Sequence, residues 1–223
     1  MIEVSREVAS SDRELRRGEG VTDRTAEREQ IVAEAYRSLD KNGGTALSVT
    51  EILANTGLST RAFYRHFKTR DELLLVMLRR DRERVLTELR TVVTEADGPV
   101  DALTRWVDAM FALLADPRRK RRVLTFYSEE MQRTRGYHQE LDRFEATQHV
   151  LLAQIIEDGR RTGAFPAADP GPDARSALAS IEAGFTEQAR RSTGADPRET
   201  AAQILRFILR ALGYRAANSG TPS

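Results

Sequence analysis

Apolar positions recur with a helical period along almost the whole chain. Ile31, Ala35 and Leu39 lie one turn apart, with Val32 and Tyr36 beside them, which predicts a helix over Arg24–Leu39 stopped by Asn42-Gly43-Gly44. Ser48-Val49-Thr50-Glu51 reads as a capping box that opens a second helix, with Val49, Ile52 and Leu53 inward and Gly57 as its stop. Ser59 caps a short third helix that carries Phe63 and Phe67 on its buried side. Thr69-Arg70-Asp71-Glu72 is a second capping box, opening a long helix to about Thr94. Leu74, Leu78, Val85, Leu89 and Val92 form its inner stripe, and the charged run Arg79–Arg84 is expected on the outside.

Beyond that point prolines mark the helix starts, because the first turn has N–H groups without intrahelical partners. Gly98-Pro99, Asp116-Pro117, Gly171-Pro172 and Asp196-Pro197 each open a helical pattern, and a long helix over Tyr137–Arg161 ends at Gly163. No alternating strand pattern and no repeat interrupts this. The expectation is an all-α protein of about nine helices. Its parts are a flexible N-terminal arm (1–22), a small three-helix unit (23–70), a larger helical unit (71–215) and a disordered tail (216–223).

Composition narrows the class. The chain has 223 residues, 40% hydrophobic and 31% charged, without cysteine, so disulfides, thiol catalysis and Cys-ligated zinc are excluded. It has no run long enough for a membrane span and no signal-peptide core at its start, and a cytoplasmic protein is expected. Net charge is +1, so only its distribution is informative. Thr60–Arg70 holds four bases (Arg61, Arg65, Lys68, Arg70) and no acid, and Arg118–Arg122 is five bases in a row. The second run falls at a helix start, where cations oppose the macrodipole; it reads as a solvated face, or as a contact for DNA or an acidic partner.

Two short helices separated by Thr56-Gly57-Leu58, the second rich in polar and basic groups, make a helix-turn-helix. Ser48-Val49-Thr50-Glu51-Ile52, Thr56-Gly57-Leu58-Ser59, Ala62-Phe63-Tyr64-Arg65-His66-Phe67 and Arg70-Asp71-Glu72-Leu73 resemble the tetracycline-repressor (TetR) family of bacterial transcriptional regulators. The resemblance covers Arg24–Leu73; Leu53, Thr56 and Arg70 depart from the family's usual residues. It implies a DNA-binding regulator, most simply a repressor, that acts as a homodimer on a palindromic operator and is released by a small, largely apolar effector.

The DNA contacts expected are Thr50, Ser59, Thr60, Arg61, Ala62, Tyr64, His66, Lys68 and Arg70. Thr50 sits in a first turn, where a phosphate binds. Ser59, Thr60 and Arg61 begin the recognition helix, with Arg61 the candidate for bidentate reading of guanine and Ala62 for a thymine methyl. Tyr64, His66, Lys68 and Arg70 are expected on the backbone. Phe63 and Phe67 read as core.

Two C-terminal stripes, Ala177, Ile181, Gly184 and Phe185 with Ile204, Phe207, Ile208, Ala211 and Leu212, look too apolar for water and are assigned to a two-fold dimer interface. The middle helices supply Trp106, Met110, Phe111, Phe126, Tyr127, Met131, Phe144 and Leu152, usually plain core, which the family resemblance turns into an effector pocket with Gln148, Glu182 or Tyr127 as polar fixers. His138 and His149 match no metal-ligand spacing, and no phosphate loop or nucleophile–base–acid constellation occurs, so no metal, cofactor or catalysis is expected. The rival readings are a DNA-binding regulator without a small effector, acting through protein partners, and an all-helical lipophilic carrier.

Overall fold

The computed structural model describes residues 24–41, 47–191 and 196–215. The described residues form helices α1 (24–41), α2 (Val49–Thr56), α3 (Thr60–His66), α4 (Arg70–Thr94), α5 (Pro99–Ala112), α6 (Pro117–Phe126), α7 (Glu129–Gln132), α8 (Tyr137–Thr162), α9 (Pro170–Arg190) and α10 (Pro197–Ala211), and contain no strand. The expected arm (1–22), tail (216–223) and Asn42-Gly43-Gly44 stop lie outside the described residues. The single turn α7 is the helix the periodicity missed, since four residues carry no period. α9 starts at Pro170, two residues before the expected Pro172.

The chain divides into two compact units, Met1–Met77 and Leu78–Ser223. The division falls inside α4 and not at residue 70, because Leu73, Leu74 and Met77 are buried and the Met77 carbonyl accepts from the Tyr36 hydroxyl at 2.9 Å.

In the first unit the sequence signals act locally. Ser48 Oγ accepts from Glu51 N–H at 3.3 Å and Ser59 Oγ from Ala62 N–H at 3.2 Å. Gly57 closes α2 at φ 68°, a left-handed conformation that costs glycine little. At the start of α4, Thr69 Oγ1 caps Glu72 N–H at 3.1 Å, and the Glu72 carboxylate returns to Lys68 N–H at 2.7 Å, one residue earlier than the reciprocal box requires. Helix α1 braces α2: Asn55 donates to Glu34 at 2.8 Å and Gln30 to the Thr56 carbonyl at 3.1 Å.

The second unit is built around Leu103, Trp106, Val107 and Phe111 of α5, Leu152 and Ile156 of α8, Ile181 of α9 and Ile208 of α10. On α4 the stripe drifts: Val93 packs against this core where Val92 was expected, because 3.6 residues per turn advances the face by one position. The run Arg79–Arg84 does not point uniformly outward. Arg79 pairs with Glu140 at 2.7 Å, and Arg82 turns inward over the rings of Tyr137 and Phe144, 5.8 and 5.2 Å from their centroids.

Arg118–Arg122 is a tether more than a solvated face. Asp116 caps α6 by accepting from Arg118 and Arg119 N–H at 2.7 and 3.3 Å, which holds its carboxyl below the ordinary value and supplies the negative charge the helix start wants. Arg119 then grips Glu88 of α4 at 2.6 Å, and Lys120 donates to the Arg191 carbonyl at the end of α9 at 2.9 Å.

Candidate nucleic-acid interface and candidate ligand cavity

Helix α3 has two chemically distinct sides. Phe63 and Phe67 are fully buried, with ring centroids 5.7 Å apart, and Arg28 of α1 lies over Phe67 at 5.0 Å. The other side carries Arg61, Tyr64 and Arg65, exposed, around a shallow surface that Ser59 completes. Tyr64 is 59% exposed, with its ring set edge-on to Phe63 at 5.4 Å between centroids.

The nine expected contact residues separate on this geometry. Thr50, Ser59, Thr60, Arg61, Tyr64 and Lys68 are exposed. Ser59 spends its hydroxyl as the α3 cap. Ala62 is buried, 3% exposed, and does not reach the surface where a thymine methyl would lie. His66 is turned to α1, its Nε2 2.7 Å from Glu27 Oε2 with its side chain 5% exposed, and is a tie between helices more than a phosphate ligand. Arg70 donates to the Leu47 carbonyl at 3.4 Å and is partly buried, holding the start of α4 to the segment before α2. Arg65, which the sequence reading counted only as charge, shares the open face with Arg61; the i, i+4 spacing was the available signal. Arg65 also approaches Glu27, 3.5 Å away.

The second unit holds a partly open cavity of about 150 Å³. Met110, Phe126, Tyr127 and Phe144 line it, as the sequence had grouped them; so do Phe185 and the side chains of Arg82, Arg119 and Arg122. Trp106, Phe111 and Leu152 are instead packed into the core, where their volume is already used. Met131 and Gln148 are buried away from the cavity wall, and Glu182 lines a surface groove on α9 with Ala179, Ala183 and Thr186. Burial, then the Glu182 charge, pushes the Tyr127 phenol up to about 12; burial and then Glu145 raise Glu182 to about 7.

The stripes assigned to a subunit contact are largely consumed within one chain. Ala177, Ile181, Phe185, Ile208 and Leu212 belong to the core of the second unit, so their apolarity is explained without a partner. Gly184 admits Ile204 of α10, whose Cδ1 occupies the space a Cβ would need. Phe207, 54% exposed, and Ala211, one turn on, remain outside. The outward character of α10 escaped the sequence because Leu205 and Leu209 are only partly buried and broaden the apolar arc.

This is the architecture of a helix-turn-helix regulator: a small α-helical unit with an exposed basic helix, joined to a larger all-helical unit that holds a cavity. Residues 31–77 match the family described as bacterial regulatory proteins, tetR family. No curated protein matches the chain in sequence. Solved structures share its fold. A transcriptional regulator from Pseudomonas aeruginosa PAO1 is 21% identical, with 83% of this chain and 89% of that one covered and a TM-score of 0.67. A tetR-family bacterial regulatory protein from Rhodococcus RHA1 is 23% identical over 85% and 98%, at 0.64. The transcriptional regulator FadR from Bacillus subtilis, in complex with stearoyl-CoA, is 17% identical over 82% and 98%, at 0.66. Among the described residues no helix is long and apolar enough to cross a membrane.

Proposed function

We propose that this protein is a transcriptional repressor that binds a palindromic operator as a homodimer and leaves it when a small molecule fills the cavity of the second unit. The observation that carries the reading is the segregation of α3, with Phe63 and Phe67 anchored inside and Arg61, Tyr64 and Arg65 held together outside. A rigid helix with a basic, aromatic outer face suits the major groove, where a guanidinium pairs with guanine O6 and N7. Arg61 reads a base; Thr60, Tyr64, Arg65 and Lys68 set the register on phosphates, and Thr50 binds a phosphate at the first turn of α2. Exposed Phe207 and Ala211 on α10, with Ala179 and Ala183 on α9, are the surface assigned to the two-fold contact. Two recognition helices then meet grooves about 34–36 Å apart.

Selection of duplexes from a random pool tests this. Enrichment of an inverted repeat, bound with an affinity that falls steeply with salt, is the expected result; a protein that enriches no sequence at low salt refutes it.

A further inference from the structure

Among the charged groups on the cavity wall, Arg82 is near carboxylates but in a salt bridge with none of them among the described residues. Asp81 and Arg84 approach each other at 3.6 Å, and Arg119 is matched by Glu88 at 2.6 Å. Arg82 forms no salt bridge among the described residues, and its Nη1 is buried with no hydrogen-bond partner. The nearby carboxylates are committed elsewhere or lie off the wall. Glu140 is held by Arg79 at 2.7 Å and Arg143 at 3.1 Å, while neither Glu145 nor Glu182 lines the cavity. The Phe144 ring lies over the guanidinium and Tyr137 takes a hydrogen bond from it, which leaves Nη1 as the unpartnered nitrogen.

A buried guanidinium N–H left unpaired is costly, and the cost is removed by an acceptor that arrives with a ligand. The rest of the wall is apolar and aromatic: Met110, Val123, Phe126, Phe144 and Phe185. Its volume, about 150 Å³, equals that of an engineered apolar cavity that takes up one benzene ring.

From this geometry we infer that the effector is a small organic acid, one aromatic ring or a chain of about six carbons, whose carboxylate accepts from Arg82 while its apolar body fills the space between Phe126, Phe144 and Phe185. This narrows the expectation of a small, largely apolar effector to one that carries an acid group, and it rests on the reading of the cavity as the effector site. A charged hydrogen bond to a fixed guanidinium discriminates against an analogue without the charge.

The test is calorimetric titration of the full chain with benzoate, its neutral counterpart benzamide and its cationic counterpart benzylamine, beside stearoyl-CoA. Benzoate is expected to bind about ten- to a hundredfold more tightly than benzamide, and Arg82→Gln to erase that preference while Arg82→Lys keeps part of it. The comparison of probes on the unaltered protein decides the matter even where the variants fold poorly. Equal binding of benzoate and benzamide, preference for benzylamine, binding of stearoyl-CoA in place of benzoate, or no binding at millimolar concentration overturns the inference. The effector reading is judged separately, by duplex affinity: benzoate that binds through Arg82 yet leaves operator affinity unchanged upholds the acid site and removes its role in release.

Discussion

Glu27 of α1 and His66 of α3 meet at 2.7 Å, carboxylate to Nε2, across 39 residues of chain. The contact ties the end of the exposed basic helix to the helix that braces it. The bond to His66 is the main reason the Glu27 carboxyl sits below its ordinary 4.5. A depressed carboxylate stabilises the fold above its unfolded-state value and loses that contribution as pH falls through the lowered folded value. Glu27→Gln is therefore expected to weaken the first unit at neutral pH. The difference from the unaltered protein should shrink below pH 4.5. Denaturant titrations across that range would show it, and a deficit that persisted unchanged into acid would contradict the linkage.

Glu182 carries the opposite sign. Burial, then Glu145, raises its carboxyl to about 7, so the folded chain holds a proton that the unfolded chain gives up near 4.5. Stability then declines as pH rises from 4.5 through about 7. Glu182→Gln removes the titration, and its melting temperature should exceed that of the unaltered protein above pH 7, with the gap closing in acid.

Arg61 and Lys68 are expected to fail differently. Arg61→Ala should cost about 1–3 kcal/mol at a single base pair and relax preference there. Lys68→Ala should weaken every duplex alike and lower the salt slope by about 1. Anisotropy titrations on the selected site, a single-base variant and an unrelated duplex, each at several salt concentrations, separate the two.

Two glycines give a packing test. A Cβ at Gly159 would lie inside the ring of Phe165, itself fully buried, whereas a Cβ at Gly171 meets nothing within 4 Å. Gly159→Ala should destabilise by about 1–3 kcal/mol even though alanine is the better helix former. Gly171→Ala should be neutral or stabilise by about 0.5 kcal/mol, through the unfolded chain. Urea unfolding of both variants measures the contrast.

What the sequence conveyed well was local. The caps at Ser48, Ser59 and Asp116, the stop at Gly57 and the proline starts at Pro99, Pro117 and Pro197 act within one turn, so neighbouring residues suffice to read them. The helix-turn-helix and its inner phenylalanines follow from the same short-range rules. Periodicity failed where it depends on what stands opposite. Ala62 and His66 had suitable chemistry for DNA, but one is covered by its own unit and the other is claimed by Glu27, a residue no spacing rule connects to it.

The second unit shows the same division more sharply. That Ala177, Ile181, Phe185, Ile208 and Leu212 must be buried could be read from hydropathy alone; that they are buried by their own chain was decided by how α5, α8, α9 and α10 close on one another. The inward turn of Arg82 inside a charged run was likewise a tertiary outcome. The amino-acid sequence by itself determined which segments are helical, where each begins, and which small unit presents a basic helix, because capping and amphipathicity are properties of adjacent residues. Only the folded chain decided which apolar faces are spent internally, which cation faces a cavity and how large that cavity is, because burial and charge pairing are set by residues distant in sequence that packing alone brings together.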